Sequence, residues 1–181
     1  MKKQILAFFA IVLLQMPLAL HAERFQSLGT TDVYYSPKGG ATAAVVREIA
    51  DAKSEVLVQA YSFTSAPIAK ALMDARKRGV RVEAVLDKSQ RREKYTAADF
   101  LLHAGIPTYI DAVHAIAHNK IIIIDRITLL TGSFNFTKAA EEKNAENLLV
   151  LKGNTPLVSR YLQNYAEHKA HAEVYAGKAP L

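Results

Sequence analysis

Cysteine is absent from the 181-residue sequence, which excludes disulfides and thiolate metal sites. The tracts that mark other classes of chain are missing too. No segment repeats at solenoid period, which excludes a repeat architecture. No long polar tract interrupts a composition that is 50% hydrophobic, which argues against disorder. Acidic residues are the minority, 17 against 23 lysines and arginines. What is left is a chain sized for one domain with a hydrophobic core of its own.

Residues 1–22 stand apart. Lys2 and Lys3 precede an uncharged apolar run, Ile5 to Leu14, and Leu18-Ala19-Leu20-His21-Ala22 ends on a small residue before Glu23-Arg24. This layout predicts a signal peptide cleaved after Ala22, a mature domain of residues 23–181, and a periplasmic or secreted location. An uncleaved anchor is the competing reading, but the run is shorter than the ~20 residues that cross a bilayer. The mature protein is therefore expected to keep no stable membrane span. Cleavage removes two lysines and no acids, leaving 21 basic and 17 acidic residues, a net charge of +4 that favours an anionic partner.

Along the mature chain, a strand is expected at Asp32–Tyr35, then a Ser36–Gly40 turn that starts a helix at Ala41–Ala52. Strands at Glu55–Phe63 and Val80–Leu86 flank a helix at Ala66–Arg78 that Gly79 closes. A charged loop at Gln90–Lys94 leads to a helix near Thr96–His103 and a strand at Ile106–Ile110. Asn119–Asp125 and Ile127–Thr131 follow so closely that they predict a hairpin. A strand at Asn144–Leu151 and an amphipathic helix from Pro156 to about Tyr175 close the chain. The alternation predicts an α/β fold: a mixed β-sheet with helices on both faces.

One stretch carries chemistry. His118-Asn119-Lys120 is followed by four isoleucines, Asp125 and, after six more residues, Gly132-Ser133-Phe134-Asn135. Side chains alternate along a strand, so His118 and Lys120 project to one side and Asn119 to the other. If the two segments meet at a sheet edge, imidazole, ammonium, hydroxyl and amide converge. Such a set suits a phosphodiester: Lys120 for the non-bridging oxygens, Asn135 and Ser133 as hydrogen-bond donors, His118 as nitrogen nucleophile, and Gly132 for close approach. No carboxylate cluster or His-x-His spacing points to a metal, so the expectation is metal-independent chemistry with no cofactor. Alone, His118 is an ordinary histidine; its company reverses that reading. His103, His114, His168 and His171 lack such company and read as ordinary surface or core side chains. Arg76-Lys77-Arg78 and Arg91-Arg92-Glu93-Lys94 can track a phosphate backbone or simply form a solvated face.

The pattern H-x-K-x4-D-x6-G-S-x-N, present as His118, Lys120, Asp125, Gly132, Ser133 and Asn135, resembles the signature of the phospholipase D superfamily. Lys143-Asn144-Ala145-Glu146-Asn147 resembles its downstream asparagine–glutamate element. Most of the mature chain is similar to the family's short, single-motif bacterial endonucleases. The resemblance implies the phospholipase D/nuclease fold and a two-step reaction in which His118 forms a phosphohistidine that water then hydrolyses. It also implies two motif copies per site, whereas this chain has one, so a homodimer with the site at its interface is expected. Glu146 is expected to orient a His118 ring, and Asp125 to serve the motif as a structural anchor on the opposite strand face. The substrate expected is nucleic acid, DNA or RNA, cleaved without sequence preference. Two other functions compete: a phospholipase or phosphatidyl transferase using the same chemistry on lipid headgroups, and a catalytically silent DNA-binding module.

Overall fold

The computed structural model describes residues 22–93 and 96–177. The expected signal segment, up to residue 21, and Lys94 of the charged loop lie outside the described residues. None of the described helices is long and apolar enough to cross a membrane.

The elements run β1 (Thr30–Ser36), α1 (Ala41–Asp51), β2 (Glu55–Ala60), α2 (Ala66–Lys77), β3 (Arg81–Asp87), α3 (Ala98–His103), β4 (Thr108–Asp111), β5 (Lys120–Ile124), β6 (Thr128–Gly132), α4 (Lys138–Glu142), β7 (Glu146–Lys152), α5 (Thr155–His171) and β8 (Glu173–Val174). The strands form a single eight-stranded sheet in the order β1-β7-β6-β5-β2-β3-β4-β8. β2, β3 and β4 are parallel, and the remaining pairs are antiparallel, which makes the sheet mixed as expected. The four isoleucines of β5 show why the run is uninterrupted. Ile122 and Ile124 enter the core shared with α1, α2 and α3, while Ile121 and Ile123 enter a second core under α5. A strand covered on both faces has no polar side to show.

Three differences from the expected elements have physical causes. The last helix stops at His171, and Glu173–Val174 then pairs with β4 instead of extending the helix toward Tyr175. A short helix, α4, is added where Thr137 caps its N-terminus by accepting from the Ala140 amide at 3.0 Å. The Ser36–Gly40 turn does start α1, and the carboxylate of Glu141 accepts from the amides of Gly40 and Thr42 at 3.0 and 2.7 Å. That end of the helix is thus occupied by the protein's own anion.

Candidate active site

The candidate residues gather at one end of the central strands, because neighbouring strands run in opposite directions. β5 begins at Lys120, β6 ends at Gly132, and β7 begins at Glu146. Register places Ile121 opposite Thr131 and Gly132 opposite Leu148, so His118, Lys120, Ser133, Asn135 and Glu146 share that end.

His118 precedes β5 with its ring exposed. Asn119 accepts a bond from the Tyr61 amide at 2.9 Å, extending the β2–β5 pairing and placing the Tyr61 ring 4.6 Å from the imidazole, centroid to centroid. Lys120 lies on the same side of the strand, only 6% exposed, with its ammonium 5.1 Å from the centre of the Tyr61 ring. Burial holds that ammonium below its ordinary pKa, and the charge of Glu146 offsets part of the effect. Asn119 faces the other way, onto Arg160, Tyr161 and Asn164 of α5. The expected alternation therefore holds. Tyr61, which spacing within the motif could not single out, is an aromatic wall shared by His118 and Lys120.

On the facing segment, Phe134 and Phe136 are buried and pin Asn135 between them. Phe136 packs edge-on against Phe63 at 5.9 Å and bridges to it in parallel. The Asn135 side-chain oxygen is buried with no hydrogen-bond partner among the described residues. Ser133 is committed on one side: its hydroxyl oxygen accepts from the Asn147 amide at 3.0 Å, leaving its own proton to donate. Gly132 serves a different purpose from the expected approach to phosphate. At φ 154°, a Cβ there would stand 2.3 Å from the Asn147 carbonyl oxygen, which accepts from the amides of both Ser133 and Phe134. The close approach is between β6 and β7.

One expected contact is not made within one chain, and one anchor sits elsewhere than the strand pattern predicts. Glu146 accepts from the Asn144 side chain at 3.1 Å and makes no bond to His118 among the described residues. Asp125 sits at the far end of β5 from His118, in the turn to β6, rather than on the opposite face of a continuing strand. Its φ is 51°, and its carboxylate accepts from the amides of Lys53, Ser54 and Glu55 and from the Ser54 hydroxyl at 2.7–2.9 Å. Burial pushes this carboxyl up, but those donors outweigh it and hold it below the usual carboxylate value. Asp125 is an anchor for the start of β2, at the opposite end of β5 from His118.

Beside the cluster lies a cleft of about 580 Å³. Tyr61 forms one wall and Lys88, Arg91 and Arg92 supply positive charge; Ala112, Ala115 and Ile116 come from the loop that leads to His118. The Lys88 ammonium holds that loop by donating to the His114 carbonyl at 3.0 Å, and the Asp87 carboxylate accepts from the Ala117 amide at 2.7 Å.

A family model described as cardiolipin synthase, PLD-like domain, matches residues 45–169, a span containing every one of these side chains. The chain belongs to the phospholipase D superfamily. With that membership comes the superfamily's phosphodiester chemistry. Among its relatives in the superfamily, a phospholipase D of Rickettsia conorii is 36% identical over 170 residues, 90% of this chain and 84% of the relative. A mitochondrial cardiolipin hydrolase of Mus musculus is 29% identical over 67% of this chain and 54% of its own. The crystal structure of Nuc from Salmonella typhimurium, a phospholipase D family member, superposes with a TM-score of 0.78 at 38% identity, covering 83% of this chain and 99% of that one.

The sequence reading misses one further group of side chains. His114, His168 and His171, which alone read as ordinary side chains, converge on the buried carboxylate of Asp111. His168 lies 57 positions from Asp111, so only the packing of α5 beside the end of β4 brings them together. The signal available in the sequence was a pair of three-residue spacings, Asp111 to His114 and His168 to His171.

Proposed function

We propose that the protein is an exported, metal-independent nuclease that hydrolyses phosphodiesters of DNA or RNA through a phosphohistidine on His118. The observation that carries this reading is the exposed His118 ring beside a buried, partly charge-compensated Lys120, at the edge of a cleft lined by Lys88, Arg91 and Arg92. A nucleic-acid backbone crossing the cleft would meet cations along the wall and the nucleophile at its end.

In the first step the neutral His118 imidazole attacks phosphorus, while a second imidazole, protonated, gives its proton to the leaving oxygen. Lys120 and Asn135 stabilise the non-bridging oxygens as charge builds on them, and the free proton of Ser133 adds a third donor. Water then attacks phosphorus, giving its proton to the second imidazole, and the P–N bond breaks. One chain supplies one motif histidine, so the second comes from another copy in a symmetric homodimer. Glu146 has no His118 ring to hold within its own chain, and the dimer gives it one.

A lipid substrate is the second reading, favoured by Val113 and Ile116, which are 67% and 58% exposed on the loop beside the cleft, and by relatives named phospholipase D and cardiolipin hydrolase. The deciding experiment incubates the mature protein with plasmid DNA, RNA and cardiolipin-containing vesicles in EDTA. Cleavage of nucleic acid alone supports the nuclease. Headgroup release without nicking supports the lipid enzyme, and binding of DNA without any cleavage supports a silent module.

A further inference from the structure

The side chains of Asp111, His114, His168 and His171 offer one ligand atom each, and the four atoms all lie within 4.8 Å of one another. Nδ1 of His114, Nδ1 of His168 and Nε2 of His171 approach a single oxygen, Oδ2 of Asp111, at 2.9, 2.7 and 3.3 Å. That carboxylate is fully buried, and its other oxygen, Oδ1, accepts from the amides of Val113 and His114 at 3.2 and 3.4 Å and lies 3.1 Å from the same His114 Nδ1. A carboxylate has about four lone-pair sites, so two amide and three imidazole N–H groups exceed what it can accept. A cation placed among them removes the conflict, because each imidazole then turns a lone pair rather than a proton toward the centre. The backbone bonds to the other oxygen are the kind of outer contact that orients a metal-bound carboxylate.

We infer that Asp111, His114, His168 and His171 form a structural binding site for a divalent transition-metal ion of the zinc class, separate from the His118 centre. Three imidazoles and one carboxylate suit zinc or cobalt, whereas calcium and magnesium call for oxygen donors. Tetrahedral coordination at zinc's usual bond lengths puts neighbouring ligand atoms about 3.3–3.5 Å apart, so shifts on the order of 1 Å complete the set. Four protein ligands close the shell and leave no position for substrate or an activated water, which makes the site structural.

Position gives the ion its purpose. Asp111 ends β4, His114 lies in the loop that forms the cleft wall and continues to His118, and His168 and His171 share one face of the last turns of α5. β8, just beyond His171, is held to β4 by a register of only two residue pairs, Tyr109 with Val174 and Ile110 with Glu173. An ion at this point fastens the end of α5, the weakly paired β8 and the nucleophile's loop together. A chain with no cysteine has no disulfide with which to do so.

The test uses untagged mature protein, stripped with chelator and dialysed, then titrated with Co²⁺ and Zn²⁺. The expected result is one ion per chain, the visible absorption of tetrahedral Co²⁺, its loss on adding Zn²⁺, and a Tm raised by about 5–10 °C at a hundredfold excess over Kd. His171→Ala, at a partly exposed position, is expected to fold and to weaken Zn²⁺ binding by more than the roughly 10–100-fold that loss of an outer contact costs. His103→Ala, on α3 outside the cluster, should leave the affinity unchanged. No Co²⁺ spectrum and no change in Tm would overturn the assignment, as would unaltered binding by both His171→Ala and Asp111→Asn. The reading is independent of the phosphohistidine chemistry: chelation should lower Tm without abolishing turnover at temperatures where the apo-protein stays folded.

Discussion

The Lys120 ammonium donates to the main-chain oxygen of His118 at 2.8 Å. The group that would meet the phosphate charge is thus tied to the backbone that carries the nucleophile. Lys120→Met keeps the stem that fills this nearly buried position and removes the charge. It should lower kcat by a factor on the order of 10²–10³ with circular dichroism unchanged. A loss of less than about threefold would remove Lys120 from transition-state stabilisation.

The pH dependence of kcat/KM should be bell-shaped. The reaction needs one imidazole neutral to attack and the other protonated to release the leaving oxygen. Activity falls on the acid side as the attacking imidazole is protonated, and on the alkaline side as the second loses the proton it must donate. A profile with only one limb between pH 5 and 9 would contradict this pairing.

Asp125 belongs to stability instead. Its folded pKa is depressed, so its contribution is fully present above the unfolded value, about 3.9, and is lost as the pH falls through the folded value. Asp125→Asn should cost about 1–3 kcal/mol at neutral pH by urea titration, since an amide cannot accept from Lys53, Ser54 and Glu55 on both atoms. The gap between mutant and wild type should narrow in acid. The kcat of the folded variant should stay close to wild type, whereas a catalytic aspartate would take turnover with it.

The extent to which the sequence revealed the fold varied with how local the determining interaction is. The β5 and β6 hairpin was visible because Asp125 and Arg126 are the only break between two apolar runs, although neither is glycine and both take positive φ. α4 was hidden because its five residues, Lys138 to Glu142, are too few to show helical periodicity, leaving the Thr137 cap as its main mark. β8 was hidden because two residues after a long amphipathic helix read as its last turn. Within the site, the motif exposed His118, Lys120, Ser133 and Asn135 together, since they lie at the open end of two strands joined by a tight turn. Tyr61 and the histidines around Asp111 were out of reach, because the strand pairing and helix packing that place them join distant parts of the chain.

Binding of nucleic acid should be governed by salt rather than sequence, because Lys88 and Arg92 face the cleft as cations and Arg91 does so while paired with Glu173. The slope of log K against log salt for a catalytically dead His118→Asn variant on duplex DNA should be about −0.9 per phosphate neutralised. Replacing both Lys88 and Arg92 with alanine should make that slope shallower by nearly 2. An unchanged slope would move the binding surface elsewhere.

Subunit mixing distinguishes a catalytic site that draws a His118 from each of two chains from one complete within a single chain. Wild-type protein and His118→Ala protein are combined at fixed total concentration under exchange conditions, and cleavage of plasmid DNA is measured. A mixed dimer has lost one of its two histidines, so activity should follow the square of the wild-type fraction, roughly a quarter of full activity at equal proportions. A linear fall, leaving roughly half, or full activity in a protein that light scattering shows to be monomeric, would contradict the shared site.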